Sequence, residues 1–168
     1  MTMKPFALVL CCAVALGGCV RPKTDGVELS VAREFRAMPV AEQARAFRQY
    51  PVDQQLGLYF FTHQHMHHPP IILAHCFALN GAAGVELLRA KLSEEINAVT
   101  VRDIAKLLRT MDSMKTYDVA GDTQLMEALR AQIAKFPPEG WAGLAADYAN
   151  KIGHERSGIG LATQRECT

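Results

Sequence analysis

Prolines and the spacing of apolar residues constrain this chain more than any other feature. From residue 27 onward hydrophobic side chains recur every three to four positions, and Pro39, Pro51, Pro69-Pro70 and Pro137-Pro138 cut that stretch into pieces. An amphipathic helix repeats at 3.6 residues and accepts proline only in its first turn, so the pattern predicts many short helices. Val27, Val31 and Phe35 begin the first, and Ala41 to Tyr50 form the second, with Arg45 and Arg48 on its polar side. Asp53 is the expected N-cap of a third helix through Leu56, Tyr59 and Phe60 that stops before Pro69. Those prolines open a fourth, Ile71 to Asn80, whose near-continuous apolar character suits a central, buried position. Gly81 reads as a C-terminal stop, followed by the stripe Val85, Leu88, Leu92 and Ile96. Thr100 with Asp103 reads as a capping box ahead of Ile104, Leu107, Leu108 and Met111. Asp122 caps a helix through Leu125, Leu129 and Ile133, and a short helix carries Trp141, Leu144 and Tyr148. No period-two alternation is present, so the expected fold is all-α, a bundle of about six to eight helices.

The first residues belong to a different kind of segment. Lys4, an apolar run from Phe6 to Leu16, then Gly17 and Gly18 have the layout of a secretory signal peptide, too short to span a bilayer comfortably. Leu16-Gly17-Gly18-Cys19 resembles the lipobox of bacterial lipoproteins. That resemblance implies cleavage before Cys19 and acylation of its sulfur and new amino group. Each buried methylene then contributes about 0.8 kcal/mol, so several chains make the attachment effectively permanent. Val20, where enterobacterial lipoproteins retained in the inner membrane carry aspartate, favours the outer membrane. The expected organisation is a cleaved signal over 1–18, a lipidated tether over 19–26, a helical domain over 27–152 and an irregular tail over 153–168. Even fully extended, the tether reaches only about 28 Å, which keeps the domain close to the membrane.

Without its first 18 residues the chain has 150, enough for one hydrophobic core. It then holds 17 basic and 17 acidic side chains, alternating in sign along most of its length, which argues against a nucleic-acid partner. Cys76 and Cys167 are free to pair in an oxidising compartment; otherwise Cys76 is a small buried hydrophobe and Cys167 a thiol in the tail. Arg33, Arg36, Arg45 and Arg48 sit in the two helices nearest the anchor. They are candidates for headgroup contacts, against the plainer reading of a solvated face interleaved with Glu34 and Glu42.

Between residues 69 and 136 the succession of an apolar helix, the turn at Asn80-Gly81 and an amphipathic helix resembles HEAT-type helical hairpins. This resemblance implies a short HEAT-like array that serves as a binding scaffold, with a compact bundle as the alternative arrangement.

Four of the six histidines fall in Phe61-Thr62-His63-Gln64-His65-Met66-His67-His68. On a continuous helix His63 and His67 lie about 40° apart, the spacing of two imidazoles on one cation, while His65 points away. His68 would complete three ligands for zinc, copper or nickel. A zinc-protease site is excluded, because Gln64 stands where the general base would be a glutamate. Surface histidines or a pH sensor are the competing readings, and His75, between Ala74 and Cys76, is expected in the core. Nucleophile elbows, Cys-x-x-Cys pairs and phosphate-cradling loops are missing.

The sequence therefore points to a non-catalytic, lipid-anchored envelope protein that binds another envelope protein. A metal-binding lipoprotein using His63, His67 and His68 is the alternative, and an inhibitor or immunity protein the second alternative. Replacing Cys19 by Ala is expected to move the protein from the membrane to the soluble fraction; persistence with the membrane would refute the anchor.

Overall fold

Helices of about ten residues leave much of their backbone polarity unpaired at their ends, so where those ends go decides how they assemble. The computed structural model describes residues 23–24, 27–154 and 167. Cys19, the leader and most of the expected tail lie outside the described residues. The tether is not wholly irregular: β1 (Lys23–Thr24) pairs antiparallel with β2 (Val27–Glu28), Thr24 opposite Val27, and Val27 is buried. Eight helices follow among the described residues: α1 (Leu29–Ala37), α2 (Val40–Phe47), α3 (Val52–His65), α4 (Ile72–Ala78), α5 (Gly81–Leu92), α6 (Ala98–Ser113), α7 (Thr123–Ile133) and α8 (Gly140–Lys151). The fold is an all-α helical bundle.

The prolines ahead of α2, α3 and α4 fall where their geometry allows. Pro39 and Pro51 are the residues just before α2 and α3, and Pro69-Pro70 precede α4. Several caps differ from expectation. Pro51 fills the N-cap of α3, which leaves Asp53 in the first turn. Asn97, not Thr100, caps α6, its side chain accepting from the Thr100 amide at 2.9 Å. Asp122 does cap α7, accepting from the Leu125 amide at 3.0 Å. Gly81 opens α5 rather than ending α4; its φ of +53° and the Thr116 carbonyl 3.1 Å from where a Cβ would sit reserve the position for glycine.

α6 is the hub, touching α3, α4, α5, α7 and α8. A solenoid repeat touches only its neighbours, so this is a compact bundle rather than a HEAT-like array. α4 is largely buried as expected, through Leu73, Ala74, Cys76, Phe77 and Ala78, although Ile71 just before it is 65% exposed; α3 is enclosed too, with every residue from Gln55 to His63 buried. Phe35, Phe47 and Tyr50 lock α1 and α2 together, with ring centroids 6.0 and 6.1 Å from Phe35.

α6 and α8 share the most extensive interface, and they run parallel. Arg102 lies over the Trp141 ring and Arg109 over the Tyr148 ring, and both members of the second pair are seven residues beyond those of the first. Two turns on one helix are thus matched by two turns on the other. α7 supplies the return connection, and the Gly153 amide donates to Asp112 Oδ2 at 2.9 Å where the two helices end.

Cys76, in the middle of α4, is joined to Cys167 by a disulfide across 91 residues of sequence. Both cysteines are buried. Closing a loop of that length stabilises a fold by about 4–5 kcal/mol in the chain-entropy account. Cys167→Ser is therefore expected to lower the unfolding free energy by several kcal/mol, and reductant should lower the urea midpoint of the wild type but not of the variant.

Candidate functional site

On α6, Val99, Arg102, Asp103 and Lys106 fall at i, i+3, i+4 and i+7 and so share one face. On α8, Trp141, Leu144 and Tyr148 do the same at i, i+3 and i+7. The C-terminal end of α3 closes the third side with His63, Gln64, Met66 and His67. Together they line a cleft of about 490 Å³.

An ion set forms its floor. Asp103 is fully buried, and its Oδ1 accepts from Arg102 through Nε at 2.9 Å and through Nη2. Oδ2 has no partner. Burial pushes the Asp103 carboxyl above the usual carboxylate range, and Arg102 pulls it back. The Arg102 guanidinium in turn lies 4.3 Å from the Trp141 ring centroid, a cation–π contact at the mouth of the cleft.

His63 is 7% exposed, its ring centroid 4.0 Å from that of Tyr59. Nδ1 is 3.3 Å from the Tyr59 carbonyl and Nε2 is 3.3 Å from Lys106 Nζ. A lysine ammonium only donates, so this geometry assigns the proton to Nδ1 and the lone pair, accepting from Lys106, to Nε2. Burial first, then the Lys106 charge, holds the imidazole down to about 3, so it is neutral at ordinary pH. Burial also draws the Lys106 ammonium below its ordinary value while Asp103 opposes that shift. The Tyr59 hydroxyl, buried without a partner, is held well above its usual value by burial and by Asp103.

The one-turn pairing of His63 with His67 is not formed. α3 ends at His65 and Met66 is extended, at φ −118° and ψ 137°, three residues ahead of Pro69-Pro70. His67 reaches the cleft as an exposed residue beyond the helix. His68 is also exposed, its ring centroid 6.4 Å from that of His67. Among the described residues no group of three His, Cys, Asp or Glu side chains is arranged to hold a metal ion. A cation seeking His63 Nε2 would also meet the ammonium of Lys106 already there. His65 does point away, stacking on Phe61 at 4.4 Å. His75 is half-exposed rather than in the core, with Nδ1 3.2 Å from the Ile71 carbonyl; the buried histidine is His63.

The four arginines considered for headgroup contact differ in their surroundings. Arg33, Arg36 and Arg45 are exposed, Arg36 lying 6.0 Å from the Phe61 ring centroid, whereas Arg48 is half-buried and turned inward. Arg48 Nη1 donates to Asn80 Oδ1 at 2.9 Å and to the Cys76 carbonyl at 3.3 Å. The residues that sequence reasoning missed are Arg102, Asp103, Lys106 and Tyr148 as neighbours in a cleft. Asp103 was legible only as a capping acid, yet a carboxylate next to the stripe Ile104, Leu107, Leu108 is positioned for burial, and that was the available signal.

No protein-family model, curated protein or solved structure matches this chain.

His63 makes stability depend on pH. The unfolded chain protonates this imidazole near its ordinary 6.5, the folded chain only near about 3. Between those values the unfolded state binds more protons, so stability falls as pH drops below about 6.5. Asp103, shifted upward, works in the opposite sense at the acid end of that window. The urea midpoint is expected to fall between pH 7 and 5 in the wild type and to fall less in His63→Leu; equal slopes would contradict the assignment.

Proposed function

We propose that this is a lipid-anchored lipoprotein of the bacterial cell envelope, held through Cys19 on the periplasmic face of the outer membrane, whose helical domain recognises an envelope protein without catalysing a reaction. Two independent features support the compartment. The apolar leader ends in Gly17-Gly18-Cys19, and the Cys76–Cys167 disulfide suits an oxidising environment.

The observation that carries the recognition role is the cleft mouth. Trp141 is 50% exposed, stacked by Arg102, with Tyr148 beside it on the same face of α8. Tryptophan, tyrosine and arginine are the side chains that dominate binding energy at protein interfaces, and they do so around a well-packed, desolvated centre. A half-exposed indole clamped by a guanidinium has lost most of its rotamer freedom before any partner arrives, so little ordering cost remains. The anchor complements this by confining the search to a layer within reach of a short tether. An inhibitor or immunity protein would use the same surface, and a tight one-to-one complex with a secreted toxin would single it out.

A photo-crosslinking amino acid in place of Leu144 is expected to trap one dominant envelope protein in intact cells, whereas the same group in place of the exposed Glu127 on α7 should not. Trp141→Ala should weaken that complex by roughly 2 kcal/mol or more. Equal, diffuse labelling at both positions would sink the proposal.

A further inference from the structure

The charges that an incoming group meets in the cleft are of one sign. Asp103, the carboxylate lining it, has a side chain with no exposure and is paired to Arg102, whose own side chain keeps 12%. Lys106 is half-buried, with one of its three donors directed to His63 Nε2. His63 is neutral, so the accessible potential is positive, and low-dielectric walls concentrate it. Beside these cations stand apolar surfaces, Trp141 and Leu144, on the facing helix.

From these features we infer that the cleft takes an extended acidic segment of the protein partner, with a glutamate or aspartate carboxylate on Lys106 and an apolar side chain against Trp141. The inference rests on the recognition role proposed above and names its chemistry. Spacing supports an extended segment: Lys106 lies four residues beyond Arg102, a rise of about 6 Å along α6. In an extended chain, residues i and i+2 point to the same side and stand about 6.6 Å apart. An acid at one such position and an apolar residue at the next therefore reach Lys106 and the Trp141–Arg102 pair together. A cleft of about 490 Å³ has room for such side chains but not for a helix about 10 Å across.

Trp141 is the only tryptophan in the chain, so its emission reports on this cleft alone. The full chain in detergent is titrated with the blocked peptide Glu-Ser-Leu-Ser-Glu-Ser-Leu and with its glutamine counterpart. A saturable change in emission is expected with the first, at least tenfold weaker binding with the second, and weakening as salt rises. Lys106→Met should lose at least tenfold and Lys106→Arg should retain binding, with circular dichroism confirming that both are folded. Equal binding of the two peptides by the wild-type protein overturns the inference whatever the variants do. So does a saturable response to inorganic phosphate or to phosphatidylglycerol vesicles with none to the peptide, which would reassign the cleft to a phosphate or headgroup. Crosslinking at position 144 without peptide binding leaves the recognition role standing and removes this chemistry; peptide binding without a crosslinked protein does the reverse.

Discussion

Helix-end carbonyls are the constraint around which this bundle is organised. Helices of 7 to 16 residues expose four unpaired carbonyls each, and in a small core those ends are often inside. Three buried glutamines answer that need in the same way. Gln43 Nε2 donates to the Arg36 and Met38 carbonyls at 3.2 and 2.9 Å, closing α1 from α2. Gln55 donates to the Tyr50 carbonyl at 2.7 Å, fastening the turn between α2 and α3. Gln132 donates to the carbonyls of Leu92 and Glu94, closing α5 from α7. Arg48 and Asn80 extend the device: Asn80 receives Arg48 and donates to Gln55 Oε1 at 2.8 Å, so one polar chain links α2, α3 and the end of α4. A buried carbonyl without a partner costs on the order of 1–3 kcal/mol, so each clip fixes an orientation that packing alone would leave adjustable.

The cleft is a consequence of that scaffold. α6 is held from several sides, which allows one of its acids, Asp103, to be buried beneath Arg102 instead of reaching solvent. Burying an ion pair is costly unless its geometry is good, and the pair here also positions the guanidinium against Trp141. Polar chemistry at the floor thus sets the aromatic surface at the mouth. The matched seven-residue steps on α6 and α8 make that surface rigid over two turns.

Under the proposed lipidation of Cys19, the anchor and the disulfide would serve a common physical logic. A protein fixed to a membrane works at short range and needs a domain that survives outside the reducing cytosol. The bond from Cys76 to Cys167 ties Cys167 onto α4.

What the sequence alone determined is the local order: an all-α chain of short helices, the helix breaks at proline and the Asp122 cap. These depend on neighbours within one or two turns, where periodicity and backbone sterics act directly. The helical spacing assumed for His63 and His67 does not hold, since a single residue in extended conformation at Met66 takes His67 off the helix. Burial and partnership were decided only in the tertiary structure. The role of Gln43, Gln55 and Gln132 as carbonyl clips exists only once a helix end is brought within about 3 Å. Likewise burial, imposed by the packed neighbours of α6, is the first cause of the shifts at Asp103, His63 and Lys106, and His63 meets Lys106, and Trp141 its guanidinium partner, only across long stretches of sequence, which no local spacing encodes.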